Sequence, residues 1–114
     1  MTSQITTHIL DTSLGRPAYN VSVTLEERGP DGEWLEIGRG VTDTDGRNKT
    51  LLEGQSLRLG LYRISFETGP YFERQAVAAF YPSVSIVFDV ADTTEHYHVP
   101  LLLNPYGFST YRGS

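Results

Sequence analysis

Two histidines stand two positions apart near the end of the chain, at His96 and His98. In an extended strand, residues i and i+2 lie on the same face of the sheet, so both imidazoles should point in one direction. Imidazole has an unperturbed pKa of about 6.5, which suits it to proton transfer near neutral pH. A His-x-His pair on one strand face can also chelate zinc. The spacing by itself therefore leaves both an acid–base site and a metal site open.

The third histidine, His8, lies in the N-terminal segment ITTHILD. Strand alternation places it on the same face as Thr6 and Leu10. On this pattern alone, it is typical of a half-buried strand residue without a special role. His8 could also give a third nitrogen to a zinc site with His96 and His98, but the sequence offers no obvious fourth ligand.

Arg47 ends the segment VTDTDGR. Asp43, Asp45 and Gly46 are good turn residues, and an arginine that follows a turn is often only solvated. The acidic residues superficially resemble a calcium loop, but the third acidic position and the distal glutamate at the required spacing are missing. The segment therefore predicts a turn and not a cation site.

Composition and length restrict the classes of protein to consider. The chain has 114 residues, no cysteine and a net charge of −5. We expect one domain, residues 1–114, with residues 1–4 frayed. The charge argues against binding to nucleic acid or to an anionic membrane. No secretory signal is visible in the first twenty residues, and the longest apolar run, 76–81, is too short to span a bilayer, so we expect a cytoplasmic location.

Alternating polarity and frequent turns predict a mostly β protein. Turn signals about every 8–12 residues favour a sandwich or barrel over βαβ units. Pro100 falls inside one predicted strand, where we expect an irregularity because proline cannot donate to a ladder. The predicted strands are 5–11, 19–28, 33–41, 47–51, 60–67, 83–90, 95–104 and 109–111, with one short helix at 70–79.

The last nineteen residues, HYHVPLLLNPYGFSTYRGS, carry a resemblance to a known family. The segment resembles the C-terminal hallmark of the transthyretin-like family, and specifically its enzyme branch, the 5-hydroxyisourate hydrolases, which end in Tyr-Arg-Gly-Ser. The segment ITTHILDTSLGRPA is similar to the N-terminal motif of the same enzymes. The resemblance runs from Ile5 to Ser114. Two departures are Asn104, where serine is common, and Phe108, where tyrosine is common.

The resemblance implies an all-β sandwich of two four-stranded sheets with one short helix. It places four strands in one sheet: the N-terminal strand, the strand after Gly46, the strand at 95–104 and the last strand. In the family, one face of that sheet meets its counterpart from another dimer. The resemblance therefore implies a homotetramer, a dimer of dimers, with a channel through it.

The resemblance also implies an activity, the hydrolysis of 5-hydroxyisourate to 2-oxo-4-hydroxy-4-carboxy-5-ureidoimidazoline in urate degradation. No metal or other cofactor is implied, and His96 is expected to be peripheral. The alternative is a non-catalytic small-ligand carrier of the transthyretin kind, a branch that lacks both the tail and the second histidine. The implied catalytic residues are His8, Arg47 and His98, with the base and acid roles of the histidines left open, and the implied substrate-binding residues are Tyr111, Arg112, Gly113 and Ser114.

Overall fold

The computed structural model describes residues Ser3 to Ser114, so Met1 and Thr2, part of the segment expected to be frayed, lie outside the described residues. Ser3 and Gln4 differ from that expectation. The Ser3 amide donates to the Lys49 carbonyl at 2.7 Å, and the Gln4 carbonyl accepts from the Tyr97 amide at 2.7 Å. Backbone pairing on both sides therefore anchors this end of the chain.

The described residues form nine strands and one helix. Alternation of burial explains the strands: in the third strand, Val23 and Leu25 are buried while Thr24 is only partly covered. In order, the elements are β1 (Ile5–Asp11), β2 (Arg16–Pro17), β3 (Ser22–Arg28), β4 (Trp34–Val41), β5 (Arg47–Asn48), β6 (Gly60–Phe66), α1 (Thr68–Glu73), β7 (Val84–Val90), β8 (Tyr97–Asn104) and β9 (Gly107–Thr110).

Two sheets pack face to face, which confirms the predicted sandwich. The first has the order β2-β1-β8-β9, with β5 also paired to β1, and the second has the order β4-β3-β6-β7. The four strands predicted to share one sheet, β1, β5, β8 and β9, do so, and the two-residue β2 adds a fifth. Strands β1 and β8 run parallel, whereas the other pairs are antiparallel.

Apolar side chains from the inner faces of both sheets fill the core. Each fully buried aliphatic or aromatic side chain contributes roughly 1.5–3 kcal/mol relative to exposure. In the first sheet, alternate side chains of β1 and β8 point into this core, and the side chains between them lie on the outer face of the sheet. The largest fully buried side chains include Tyr62, Phe66, Ile5, Ile9, Leu25, Leu51, Ile64 and Leu101.

The helix is shorter than predicted and starts earlier, at Thr68–Glu73 instead of 70–79. Ala76 has a φ of 55°, which an α-helix cannot contain, and the Val77 amide turns back to the Phe72 carbonyl at 3.1 Å. The apolar residues after it therefore belong to a loop. No helix within residues 3–114 is long and apolar enough to cross a membrane.

Pro100 produces the expected irregularity, although β8 itself continues through it. Leu101 pairs with Thr110, and the isolated bridge His98–Gly113 continues the same antiparallel alignment. In this alignment Tyr111 lies opposite Pro100. Proline has no amide hydrogen to donate, and the Pro100 carbonyl accepts instead from the Thr110 hydroxyl at 2.7 Å. The last strand therefore ends at Thr110, and pairing resumes only at Gly113. The predicted strand at 109–111 is shifted accordingly, and that at 47–51 shortens to Arg47–Asn48.

Candidate active site

The outer face of the first sheet brings distant polar residues into one row. Arg47 on β5 is the register partner of His8 on β1. On the other side of β1, Thr6 is the register partner of His98 on β8, and His98 is bridged in turn to Gly113 of the tail. Because opposite residues in neighbouring strands have their Cβ atoms about 4.5–5.5 Å apart, the row is continuous.

A tight turn places Arg47 beside β1. The Asp43 carboxylate accepts hydrogen bonds from the backbone amides of Asp45 at 2.9 Å and Arg47 at 3.0 Å. Both bonds lower the pKa of Asp43, and the bond from Arg47 has the larger effect. Gly46 has a φ of 74°, and a Cβ there would lie 2.4 Å from the Ile9 carbonyl oxygen. The segment is a turn, as predicted, and glycine lets it lie directly against β1.

His8 is half-buried, and its surroundings keep it neutral at neutral pH. Burial is the main cause that lowers its pKa below 6.5, and the positive charge of Arg47 is the second. A hydrogen bond to the Asp45 backbone and the carboxylates of Asp43 and Asp45 oppose this shift. The net direction is downward, so the imidazole is available to accept a proton.

The pKa of His98 is lowered as well. Burial is again the largest cause, followed by the charges of Arg47, His96 and His8. A hydrogen bond to the Thr6 backbone opposes the shift. Arg47 therefore acts electrostatically on both of the predicted catalytic histidines.

The Thr6 hydroxyl lies between two imidazoles. Its Oγ1 atom is 2.8 Å from Nδ1 of His98 and 3.0 Å from Nε2 of His96. The two rings are stacked, with centroids 6.3 Å apart and planes 14° apart, so both point the same way as their spacing predicted. His96 was expected to be peripheral, yet it shares a hydrogen-bonding partner with His98. The signal that could have pointed to Thr6 is its position two residues before His8, on the same strand face.

Two tail residues lie against this row. The Gly113 amide donates to the His98 carbonyl at 2.9 Å. A Cβ on Gly113 would lie 2.5 Å from Cδ2 of His98 and 3.2 Å from Cγ of Pro100. Only glycine therefore allows the tail to approach the imidazole this closely and to bring Ser114 to the site.

The other two tail residues are placed differently. The Arg112 guanidinium lies 4.4 Å above the Tyr97 ring and donates to the Glu95 carboxylate at 2.6 Å, which raises the pKa of Arg112. These contacts hold the tail against the start of β8. Tyr111 is 59% exposed beside Pro100.

A polar depression of about 220 Å³ lies in the middle of this face. His8 lies beside the depression and not in its lining. Lys49, which sequence reasoning missed, follows Arg47 by two residues and so shares its face. The lining residues are Thr6, Thr7, Arg47, Lys49, His96, His98 and Ser114.

The arrangement suits proton transfer to and from a small anionic or carbonyl-bearing molecule. Neutral imidazoles can accept protons, and guanidinium and ammonium donors can stabilise an oxyanion. The same two cations would repel a metal ion. Within residues 3–114, no three His, Cys, Asp or Glu side chains converge as a metal site requires.

Comparison with known proteins identifies relatives of this chain. The sequence model of the HIUase/Transthyretin family matches residues 5–113. A 5-hydroxyisourate hydrolase of Salmonella typhimurium is 46% identical, over 96% of this chain and 80% of the relative. A protein of the same name from Halalkalibacterium halodurans is 44% identical, and all of both chains is covered.

Solved structures of both kinds of family member share the fold. Sea bream transthyretin in complex with thyroxine is 32% identical with a TM-score of 0.92, covering 97% of this chain and 95% of that one. Klebsiella pneumoniae 5-hydroxyisourate hydrolase is 37% identical with a TM-score of 0.84, covering 96% and 98%. With a family match over nearly its whole length and the sandwich that goes with it, the chain belongs to the HIUase/Transthyretin family.

Proposed function

We propose that this chain hydrolyses 5-hydroxyisourate to 2-oxo-4-hydroxy-4-carboxy-5-ureidoimidazoline in urate degradation, as a single domain of residues 1–114. The observation that carries the proposal is the row of Arg47, His8 and His98 across one sheet face. The relatives named 5-hydroxyisourate hydrolase, which match nearly all of this chain, supply the substrate.

Hydrolysis opens the ring at an amide bond, so the site must handle one proton and one developing negative charge. The water oxygen forms a bond to the C6 carbonyl carbon, and the π electrons of the carbonyl bond move to the carbonyl oxygen. A neutral imidazole takes the proton of the water, and the departing N1 nitrogen receives a proton as the C–N bond breaks. We assign these transfers to His8 and His98, whose lowered pKa values keep them neutral at the start.

Arg47 lies beside both histidines and provides the positive charge that the oxyanion requires. Its guanidinium can give paired hydrogen bonds to a carbonyl or oxyanion. Ser114 and Gly113 lie at the other end of the row, where we propose that they contact the substrate. Arg112 holds the tail in place through Glu95 and Tyr97, and we propose that it and Tyr111 also border the bound substrate. No metal or other cofactor has a part in this reaction.

The second candidate is a small-ligand carrier, favoured by the TM-score of 0.92 to transthyretin with thyroxine. A carrier needs a binding surface but neither neutral imidazoles nor an arginine beside them. The side chains of His8, Arg47 and His98 therefore favour the hydrolase, whereas the backbone alone fits both.

The decisive experiment generates 5-hydroxyisourate from urate in situ and follows the decay of its absorbance with and without this protein. We expect His8→Ala and His98→Ala each to lower kcat/KM by about 10²–10⁴. Arg47→Ala should lower kcat/KM by about 10²–10³. All three variants should remain folded, because these side chains lie on the outer face of the sheet.

Arg39→Ala is a matched control, since Arg39 lies on β4 in the other sheet and pairs with Glu36 at 2.7 Å. It should retain wild-type turnover. Binding of 5-hydroxyisourate without acceleration of its decay would favour the carrier instead. Near-wild-type turnover in one of the three alanine variants would remove that residue from the mechanism.

We also propose a homotetramer, a dimer of dimers, in the cytoplasm. Support comes from the polar depression, which lies open on the outer face of the first sheet and would be walled off by a second copy. Several large apolar side chains are exposed as well, among them Phe80 at 69% and Tyr106 at 68%. Closed symmetric assemblies are the usual way in which a small domain covers such surfaces. A cysteine-free composition fits a reducing compartment.

A further inference from the structure

We propose that Thr6 and His96 hold His98 in the tautomer that carries its proton on Nδ1, so that Nε2 of His98 is the base that accepts the proton of the attacking water. Thr6 and His96 are positioning residues in this chain of hydrogen bonds, and His98 is the catalytic residue. The inference rests on the proposed hydrolysis for its kinetic part only, because the tautomer exists in the free protein.

The count of hydrogens at Thr6 limits the possible arrangements. A threonine hydroxyl has one hydrogen to donate, and it can accept a hydrogen bond as well. Two ring nitrogens lie within hydrogen-bonding distance of it, Nδ1 of His98 at 2.8 Å and Nε2 of His96 at 3.0 Å. The hydroxyl oxygen can accept from both nitrogens, or it can accept from one while its hydrogen is donated to the other, but both nitrogens cannot accept from it at once. At least one of the two histidines therefore carries a hydrogen on the nitrogen that faces Thr6.

His98 can act as a base in each arrangement in which its Nδ1 donates to Thr6, because Nε2 of His98 then keeps its lone pair. In the arrangement that we infer, the hydroxyl hydrogen is directed to Nε2 of His96. If the directions are reversed, Nε2 of His98 carries the hydrogen and cannot accept another proton. The nitrogen that bonds to a fixed partner decides the tautomer in this way at many histidine sites.

The surroundings favour the first arrangement. Thr6 is only 4% exposed, whereas His96 is exposed, so the chain of hydrogen bonds runs from the site toward solvent. When Nε2 of His98 takes a proton, the positive charge that results is shared through the Nδ1 hydrogen bond with Thr6. His98 returns to neutrality with its hydrogen still on Nδ1 only if the accepted proton leaves again from Nε2.

The charged and titratable groups that face His98 come from three elements. His8 lies on β1, Arg47 and Lys49 lie on or directly after β5, and His96 precedes β8. Arg47 and Lys49 are cationic, and both oppose a lasting positive charge on His98. Both cations therefore favour release of the proton that Nε2 of His98 has accepted, from that same nitrogen.

The direct test is the tautomer of each histidine, measured by long-range ¹H–¹⁵N NMR on protein labelled at histidine. This measurement needs no substrate and no turnover. We expect His98 to show a protonated Nδ1 and an unprotonated Nε2, with Nε2 of His96 unprotonated. Thr6→Val, which replaces the hydroxyl by a methyl group of similar size, should give His98 a mixture of tautomers, and Thr6→Ser should restore the wild-type pattern.

The kinetic test uses the same variants in the 5-hydroxyisourate assay. Thr6→Val and His96→Phe should lower kcat by about tenfold to a hundredfold with little change in KM, less than the 10²–10⁴ expected for loss of the base itself. Thr6→Ser should stay near wild type. His96→Phe tests the proposal independently if Thr6→Val does not fold, since His96 is exposed.

The outcomes separate this inference from the proposed function. A wild-type His98 with its hydrogen on Nε2, or an unchanged tautomer in both Thr6→Val and His96→Phe, would overturn the inference even in an active hydrolase. An unchanged kcat in folded Thr6→Val and His96→Phe would also overturn it. The expected tautomers in a protein without hydrolase activity would support the hydrogen-bond chain and contradict the hydrolysis proposal.

Discussion

Arg47 is the residue whose charge acts on both candidate catalytic histidines. Its positive charge is the second-largest cause, after burial, of the lowered pKa values of His8 and His98. An imidazole with a pKa below 6.5 is neutral at pH 7 and becomes protonated only at lower pH. The base form therefore persists into mildly acidic solution, and the rate should fall only as the pH passes down through the lowered values.

Replacing Arg47 should shift the pH range in which kcat/KM falls on acidification, which we call the acid limb of the pH profile. In Arg47→Gln, the loss of the positive charge raises both pKa values toward 6.5, while burial still keeps them below it. We therefore expect kcat/KM to begin its fall at a higher pH than in the wild type, on top of the loss of oxyanion stabilisation. The measurement is kcat/KM against pH for 5-hydroxyisourate hydrolysis. Arg39→Gln on the other sheet is the control, and an acid limb that does not move would show that Arg47 has no electrostatic effect on the base.

The same shift affects folding. The unfolded chain binds protons at these histidines near pH 6.5, whereas the folded chain binds them only at lower pH. The folded state therefore keeps its full stability above pH 6.5 and loses part of it as the pH falls through the lowered values.

At the scale of elements, β8 is the strand that organises the site. It pairs in parallel with β1, which brings Thr6 opposite His98, and it pairs on its other edge with β9 and then with Gly113. Pro100 interrupts that second ladder, so the tail is connected to β8 by few backbone bonds. Side-chain contacts of Arg112 with Glu95 and Tyr97 complete its attachment.

Deletion of residues 111–114 should abolish most of the hydrolase activity and leave the sandwich folded. The tail contributes one backbone hydrogen bond to His98 and covers the site, but the buried apolar core does not include it. We expect the β-sheet circular dichroism to remain and Tm to fall by no more than about 8 °C, the shift typical of about 1 kcal/mol in a domain of this size. A truncated protein with full activity would show that the tail is an ordinary chain end.

Glu95→Gln gives a milder comparison for the same element, because it keeps all four tail residues and removes only the charge that pairs with Arg112. Its activity should lie between those of the wild type and the truncated protein. Activity as low as that of the truncation would mean that the ion pair alone holds the tail in place.

At the scale of the whole molecule, the backbone does not distinguish a hydrolase from a carrier. The TM-score is 0.92 to transthyretin and 0.84 to the Klebsiella hydrolase, although the sequence is more similar to the second. Function on a shared fold is decided by side chains at one site. We propose that here these are the histidines and the arginine of one outer sheet face.

That face should lie inside an assembly of four copies. Light scattering at micromolar concentration should give about four times the 12.7 kDa mass of the chain. Tetramer and activity should be lost together on dilution, since an open depression admits water around the oxyanion. A monomer with full activity would contradict the channel that we propose.

The sequence by itself predicted the strands, the sandwich and three of the residues that meet in the row. Alternation of polar and apolar residues specifies which face of β1 and β8 turns inward, because the side-chain period of a strand is two. The resemblance of the two terminal motifs then indicated His8, Arg47 and His98. The local sequence pattern predicted the ends of helices and strands less well. The helix, for example, ends at Glu73 and not at 79 as predicted.

Only the tertiary structure decided the contacts that depend on register between strands distant in sequence. Thr6 faces His98 because β1 and β8 pair in parallel with that register, and no local pattern of either strand specifies it. Arg112 has its position for the same reason. Arg112 turns toward Tyr97 because the register places it opposite Val99, on the core-facing side of β8. Periodicity fixes the face of a side chain, whereas its neighbours across the sheet are set by pairing that the whole fold determines.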